Sequence, residues 1–220
     1  MGFNISDLNI EFINNNIEVI IDRILCCSQA MVDDKNMVEN KENKITSRLC
    51  KYLNKNNENF SKLPFRFEKQ QSENYNEAFD TDAGIIDIKV MGTMYLSNRN
   101  DNDYYIIECK RIDGTRTLNR KYIVEGISRF LSGQYTSYYN KNIMLGFIVK
   151  GVDIQKNTND INEIQDKNFN NYVKEKLTLL KKTETKFWIY SSSYYLKNKP
   201  DLELRHIFYN FSSIITCDAK

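Results

Sequence analysis

A mixed α/β fold, with a central β-sheet flanked by helices, follows from three observations on the sequence. Short runs rich in β-branched and aromatic residues, at 84–90, 104–111 and 142–150, are bounded by polar turn clusters and read as strands. Between and around them, apolar residues recur at steps of three and four, the period of amphipathic helices. The run at 142–150 is almost continuously apolar, as a strand buried on both faces must be. The predicted order is helix, strands, helix, strand, helix, strands, which places helices on the faces of a mixed sheet.

At the N-terminus, Phe3, Ile5, Leu8, Phe12, Ile13, Ile17, Ile20, Ile21, Ile24 and Leu25 mark one or two amphipathic helices within 3–31. The asparagines at 14–16 are a candidate break, and the segment suits a cover for the sheet or a dimer arm. A second helix is expected over 34–54. Counting 100° per residue from Val38 puts Glu42 inside the apolar stripe with Ile45, Leu49 and Leu53. Such a glutamate either meets a buried cation or lays its stem on the core with its head in solvent. Residues 63–68 read as a strand, with Pro64 placing it at an edge or at its start. The polar stretch 70–83 reads as a loop, and 97–103 as a turn-rich link. A helix is expected over 118–139, with Ile123, Ile127, Phe130, Leu131 and Tyr135 on one face and mild breaks at Gly126 and Gly133. Residues 152–182 are expected as a helix, and Phe187–Tyr190 and 202–215 as strands.

Composition narrows the function. Hydrophobic residues at 41% and aromatics at 12% belong to a folded globular chain, and a net charge of +2 names no partner by itself. The charge is unevenly spread, however: residues 1–40 carry two basic and seven acidic side chains, residues 41–72 eight basic and three acidic. The five cysteines show no C-x-x-C pairing and His206 is the single histidine, so a structural zinc site is not expected. His206 itself fits a strand pattern with Leu204 and Phe208, a core or surface position. The cysteine usage and the absence of a leader-like start suggest a reducing, cytoplasmic setting. No apolar run approaches the ~18 residues of a membrane span.

The chemistry-bearing residues lie at 84–111. In the second strand Ile106, Glu108 and Lys110 share one face, and Tyr105, Ile107, Cys109 and Arg111 the other. A carboxylate and an ammonium in an apolar strand must be matched, either by each other or by something they hold. Asp87 lies on the adjoining strand and can sit beside Glu108, while Glu42 approaches from a helix. Converging carboxylates suit a hard divalent ion such as Mg²⁺, which binds through one or two carboxylates plus substrate phosphates. Between Lys110 and Lys121 the chain carries five basic side chains and one acidic, suited to phosphate contacts or simply to a solvated helix.

Asp87, followed by Glu108-Cys109-Lys110 at the end of an apolar strand, then a helix and another apolar strand, resembles the PD-(D/E)xK nuclease superfamily. The resemblance covers roughly residues 38–150. It implies a restriction endonuclease-like core with an N-terminal helical extension (1–33) on a nuclease-like domain (34–220) that ends in a helix and strands (152–215). It also implies catalytic roles for Glu42, Asp87, Glu108 and Lys110, with Mg²⁺ (Mn²⁺ substituting) held by Glu42, Asp87, Glu108 and the Cys109 carbonyl. Arg111, Arg116, Arg120, Lys121, Arg129 and Gln134 become candidate nucleic-acid contacts; Gln134 and Tyr138 fit the Q-x-x-x-Y pattern of exonuclease-like members. Asp82 is a rival for the first carboxylate, but it precedes Gly84 in expected loop. The implied activity is hydrolysis of DNA phosphodiester bonds, endo- or exonucleolytic, in a setting such as prokaryotic restriction or anti-phage defence. Implied partners are DNA, a second copy of the chain, or a separate ATPase/helicase-type or specificity subunit. The alternative is a nuclease-fold subunit that binds nucleic acid or protein without cutting.

Overall fold

In the computed structural model of the chain, residues 5–55, 65–73, 84–92, 104–136, 139–197 and 199–216 are described. The N-terminal segment is a single helix, α1 (Ile5–Asp33). Its three asparagines do not break it: each costs less than ~0.7 kcal/mol of helix propensity, and a buried face of Ile17, Ile20, Ile21, Ile24, Cys27 and Met31 outweighs that. Lys35, at φ 53°, turns the chain out of the helix. Val38–Glu39 then form a two-residue strand, β1, parallel to β9 (Ile215–Thr216).

The next helix, α2, covers Glu42–Lys55 and not the expected 34–54. Val38 is drawn instead into pairing with Ile215, and the helix begins where the Lys41 carbonyl accepts from the Lys44 and Ile45 amides. Strands β2 (Phe65–Glu73), β3 (Gly84–Gly92) and β4 (Tyr104–Ile112) form an antiparallel meander. Residues 70–73, expected in a loop, extend β2 because their backbone pairs with β3. Pro64, Asp82, the link 97–103, Tyr138 and Cys217 lie outside the described residues.

The helix expected over 118–139 is shorter and interrupted. It comprises α3 (Arg116–Tyr122), a π-helical turn (Ile123–Ile127) and α4 (Ser128–Leu131). Thr115 caps its start through Leu118 N, and Gly133, at φ 78°, follows its end with the left-handed conformation that stops helices. Strand β5 (Lys141–Ile148) leads to α5 (Ile154–Phe169), capped by Asp153. The helical period expected to continue to 182 ends at Asn170. Residues Val173–Lys182 are strand β6, because ladder bonds to β7 (Phe187–Tyr194) compete successfully with an amphipathic pattern too charged to bury. The last strand expected, 202–215, splits into β8 (Leu202–Asn210), a 3₁₀ turn at Ser212–Ile214 and β9.

Seven strands make one open mixed sheet in the order β2-β3-β4-β5-β8-β7-β6, with β4, β5 and β8 parallel and the other pairings antiparallel. One core joins α1 and α2 to one face through Ile88, Val90, Ile107, Cys109, Leu145 and Ile207. The second joins the α3–α4 segment and α5 to the other face through Ile106, Ile112, Met144, Leu204 and Phe208. The central strands are therefore buried on both sides, as the run at 142–150 required. No helix among the described residues is long and apolar enough to cross a membrane.

His206 lies fully buried on β8, its Nδ1 2.9 Å from the Tyr122 hydroxyl and its Nε2 2.7 Å from Ser192 Oγ. Burial, with the charge of Arg205 adding to it, holds the imidazole down to about 3. In the folded chain it stays neutral where the unfolded chain takes up a proton near pH 6.5. Its contribution to stability is thus intact above pH 6.5 and is lost as pH falls from there toward 3, by about 2 kcal/mol at pH 5. Urea unfolding at pH 7.5 and pH 5 should show a drop in stability roughly 2 kcal/mol larger for the natural chain than for His206→Gln; equal drops would refute this.

Candidate active site

The site forms where two strands part. The β3–β4 ladder runs from Met91–Tyr104 to Ile88–Ile107 and stops there. At the next position the Asp87 side chain takes over, its Oδ2 accepting from the Cys109 amide at 2.8 Å. On β2, Gln70 lies between the partners of Ile86 and Ile88 and has φ 51°, an uncommon conformation for a residue with a side chain. Ile86 joins the core on the opposite face of the sheet from Ile88 and Val90, so β3 rotates as it passes Asp87.

Lys110 fills the gap. Its Nζ donates to Glu108 Oε1 at 2.6 Å, to the Cys109 carbonyl at 2.9 Å and to Glu42 Oε1 at 3.2 Å, and lies 3.9 Å from Asp87 Oδ2. All three ammonium protons have acceptors. Even-numbered residues of β4 face the α3–α5 side, as the strand alternation predicted, whereas α2 lies on the other face. The Glu42–Lys110 pair therefore crosses the sheet through the opening beside β3. Gly126, in the π-helical turn, allows this close packing: a Cβ there would stand 2.7 Å from Met144 Cε and 3.5 Å from Lys110 Cγ.

Glu108 is sealed. Its side chain is 0% exposed; Oε1 accepts from Arg129 Nη1 at 2.9 Å as well as from Lys110, and Oε2 accepts from the Tyr135 hydroxyl at 2.7 Å. Arg129 also donates to the Tyr135 oxygen at 2.7 Å, and that hydroxyl lies 2.8 Å from the Ile85 carbonyl. Tyr135 is the residue that the sequence pattern misassigned. It is not on the helix face with Ile123, but beyond the stop at Gly133, where the chain turns back to the strand. Reading Gly133 as a helix terminator would have placed it there.

The electrostatics follow from burial. Desolvation, and then repulsion by Asp87, push the Glu108 carboxyl up to about 7 against the pull of Lys110 and Arg129. Burial alone would lower Lys110, but Glu108, Glu42 and Asp87 together raise it, so it stays an ammonium. Arg129 is likewise raised, its burial outweighed by Glu108 and Tyr135. Glu42 stands in the first turn of α2, three, seven and eleven positions before Ile45, Leu49 and Leu53, and so on the same helix face. Of the two readings of this glutamate, the geometry shows the head turned to a cation: Oε1 meets Lys110 and Oε2 accepts from the Arg111 amide at 3.2 Å.

The remaining candidates divide. Arg111 reaches the Asn40 carbonyl at 2.6 Å and braces the entry to α2. Arg116, Arg120 and Lys121 are exposed on α3 and form no ion pair among the described residues. Arg129 turns inward to Glu108. Gln134 packs against Gly84, where an added Cβ would stand 2.7 Å from its Nε2. Glu42, Asp87, Glu108, Cys109 and Lys110 are thus brought together, and Arg129 and Tyr135 join them.

Comparison with protein-family models, with curated proteins and with solved structures finds no match to this chain. Among the described residues no group of three or more His, Cys, Asp or Glu is arranged to hold a metal ion. The donors nevertheless suit a hard divalent cation in kind, since three carboxylates and a peptide carbonyl all lie within 3.9 Å of one point, the Lys110 ammonium. Asp87 at 22% and Glu42 at 35% side-chain exposure are open to solvent, whereas Glu108 is not.

Removing Lys110 leaves a buried carboxylate with Arg129 as its remaining cation. Lys110→Met should cost about 3–5 kcal/mol in urea unfolding, and the double variant Glu108→Gln/Lys110→Met should recover most of that loss. A single-variant cost below about 1 kcal/mol would show that the pair does not anchor the site.

Proposed function

We propose that the chain is a Mg²⁺-dependent phosphodiester hydrolase acting on DNA. The observation that carries this reading is the convergence of Glu42, Asp87, Glu108 and the Cys109 carbonyl on the Lys110 ammonium at the parting of β3 and β4. It supports the resemblance to PD-(D/E)xK nucleases drawn from the sequence. The burial difference divides the labour. Glu42 and Asp87, partly exposed, would hold the metal with its waters and a substrate phosphate; Glu108, sealed by three donors, positions Lys110. When bound, Mg²⁺ supplies Lewis acidity and a lowered pKa for its water. The ammonium of Lys110, fixed by Glu108 and charged at neutral pH, meets negative charge as it grows on the phosphoryl oxygens. Cys109 keeps the strand in place by giving its amide to Asp87, so the metal-holding carboxylate is oriented by backbone.

A second reading has an observation of its own. Every proton of the Lys110 ammonium and both oxygens of Glu108 already have partners, which also describes a purely structural ion cluster in a nuclease-fold binding subunit. Asp87→Asn separates the two, because it removes charge while keeping an acceptor for the Cys109 amide. Supercoiled, linear and single-stranded DNA should be cut in Mg²⁺ and not in EDTA, and Asp87→Asn should lower the rate by roughly 10²–10³-fold with an unchanged urea midpoint. Undiminished cutting by Asp87→Asn would sink the hydrolase reading. Calorimetry showing no Mg²⁺ or Mn²⁺ binding to the natural chain would favour the binding subunit.

A further inference from the structure

Helix α2 carries a second feature that the site does not use. Lys44, Arg48, Lys51 and Lys55 follow one another at steps of four, three and four. At 100° per residue they fall within about 60° of arc, a single stripe spanning about 16 Å of helix. The opposite face holds the buried Ile45, Thr46, Leu49, Cys50 and Leu53. Lys44, Lys51 and Lys55 are exposed and have no ion pair among the described residues; the nearby Glu39 pairs with Lys41 at 2.8 Å and feels Lys44 only at longer range. Arg48 alone is anchored, to the Asn36 and Met37 carbonyls.

This arrangement works against the helix. Like charges at i,i+3 and i,i+4 repel by a few tenths of a kcal/mol per pair, and Lys44 lies toward the positive end of the helix dipole. Beside the stripe, between α2 and the β1–β9 ladder, runs a cleft of about 460 Å³ lined by Met37, Val38, Glu39 and Thr216 and by Lys44, Ser47, Arg48 and Lys51 from the helix, three cations against one carboxylate that Lys41 already pairs. Met37 is 51% exposed there, giving the cleft an apolar side against its cationic one. A sugar–phosphate backbone has that character, with an anion at every step joined by less polar sugars. With phosphates every ~3.4 Å along the axis per strand, 16 Å of cations matches roughly five of them.

We propose that this face of α2 is a docking surface for the phosphate backbone of nucleic acid. The proposal rests on the hydrolase reading for its biological sense, since the stripe begins two residues after Glu42, but its test is independent of cleavage. Fluorescence anisotropy of a labelled 20-base-pair duplex, in EDTA and between 50 and 200 mM salt, gives the slope of log K against log salt. Lys44→Gln/Lys51→Gln/Lys55→Gln should make that slope shallower by about 2.7, three phosphates at 0.9 each. A control removing the same charge elsewhere, Lys167→Gln/Lys181→Gln/Lys182→Gln, should leave it unchanged. An unchanged slope in the stripe variant, or an equal loss in the control, overturns the proposal. So does tighter, stripe-dependent binding to phosphatidylserine vesicles than to the duplex, which would make the partner a lipid surface. If the stripe variant loses slope while the natural chain cuts no DNA in Mg²⁺, the hydrolase reading falls and the docking surface stands.

Discussion

The Lys110 ammonium, held between two strands that have stopped pairing, is the contact on which the rest of the site depends. It connects strand β4, whose even-numbered side chains face α3–α5, to helix α2 on the opposite face, and does so through the sheet. Without it, Glu108 would be a carboxylate at 0% exposure facing Asp87, and Glu42 would lose the charge that turns it inward. Buried ion pairs seldom add net stability, because desolvation consumes what attraction supplies. Their value lies in geometry: each partner's position is specified by the other's need. Here Arg129 and Tyr135 complete the specification from a turn that closes over Glu108.

The surrounding fold explains why the opening can exist at all. β4 is buried on both faces and paired to β5 from Ile107 to Ile112, so it does not need β3 for support beyond Ile107. β3 in turn remains paired to β2 down to Gly84. The gap is therefore flanked by the β4–β5 ladder and by a β2–β3 ladder that skips only the Gln70–Asp87 position, and the lost ladder bond at Cys109 is made good by Asp87. Its polar side chains lie in the C-terminal half of a parallel strand, the end of an α/β sheet where ligands are commonly received.

Much of this was legible in the sequence, for identifiable reasons. Strand alternation correctly separated Glu108 and Lys110 from Cys109 and Arg111, because period two is enforced by backbone geometry. The proximity of Asp87 and Glu108 also followed from two strands joined by a short link. Glu42 was placed on the core face from a helix drawn too long: Val38, used as its origin, belongs to β1, yet the Ile45–Leu49–Leu53 spacing carried the inference. What escaped were features set by distant partners. β6 is a strand because β7 is there to pair with it, and Arg129 points inward because the buried Glu108 carboxylate, already paired with Lys110, has room for a second cation. Tyr135 was missed for a local reason, a glycine read as a blemish in a helix instead of its end.

Helix α2 brings the two charge problems of the molecule together. On its core-facing side Glu42 adds a third carboxylate to a cluster already rich in negative charge; on its outer side Lys44, Lys51 and Lys55 stand exposed without an ion pair among the described residues. A polyanionic substrate approaching Glu42 and Asp87 alone would be repelled by them. Lys44, within a turn of Glu42, would offset that repulsion inside the ~8 Å reach of exposed charges at physiological salt, whereas Lys51 and Lys55, about 14 and 20 Å along the helix axis, lie beyond it. The repulsion among the lysines is then no defect of the helix. A polyanion docked on the stripe, as proposed, would relieve that repulsion.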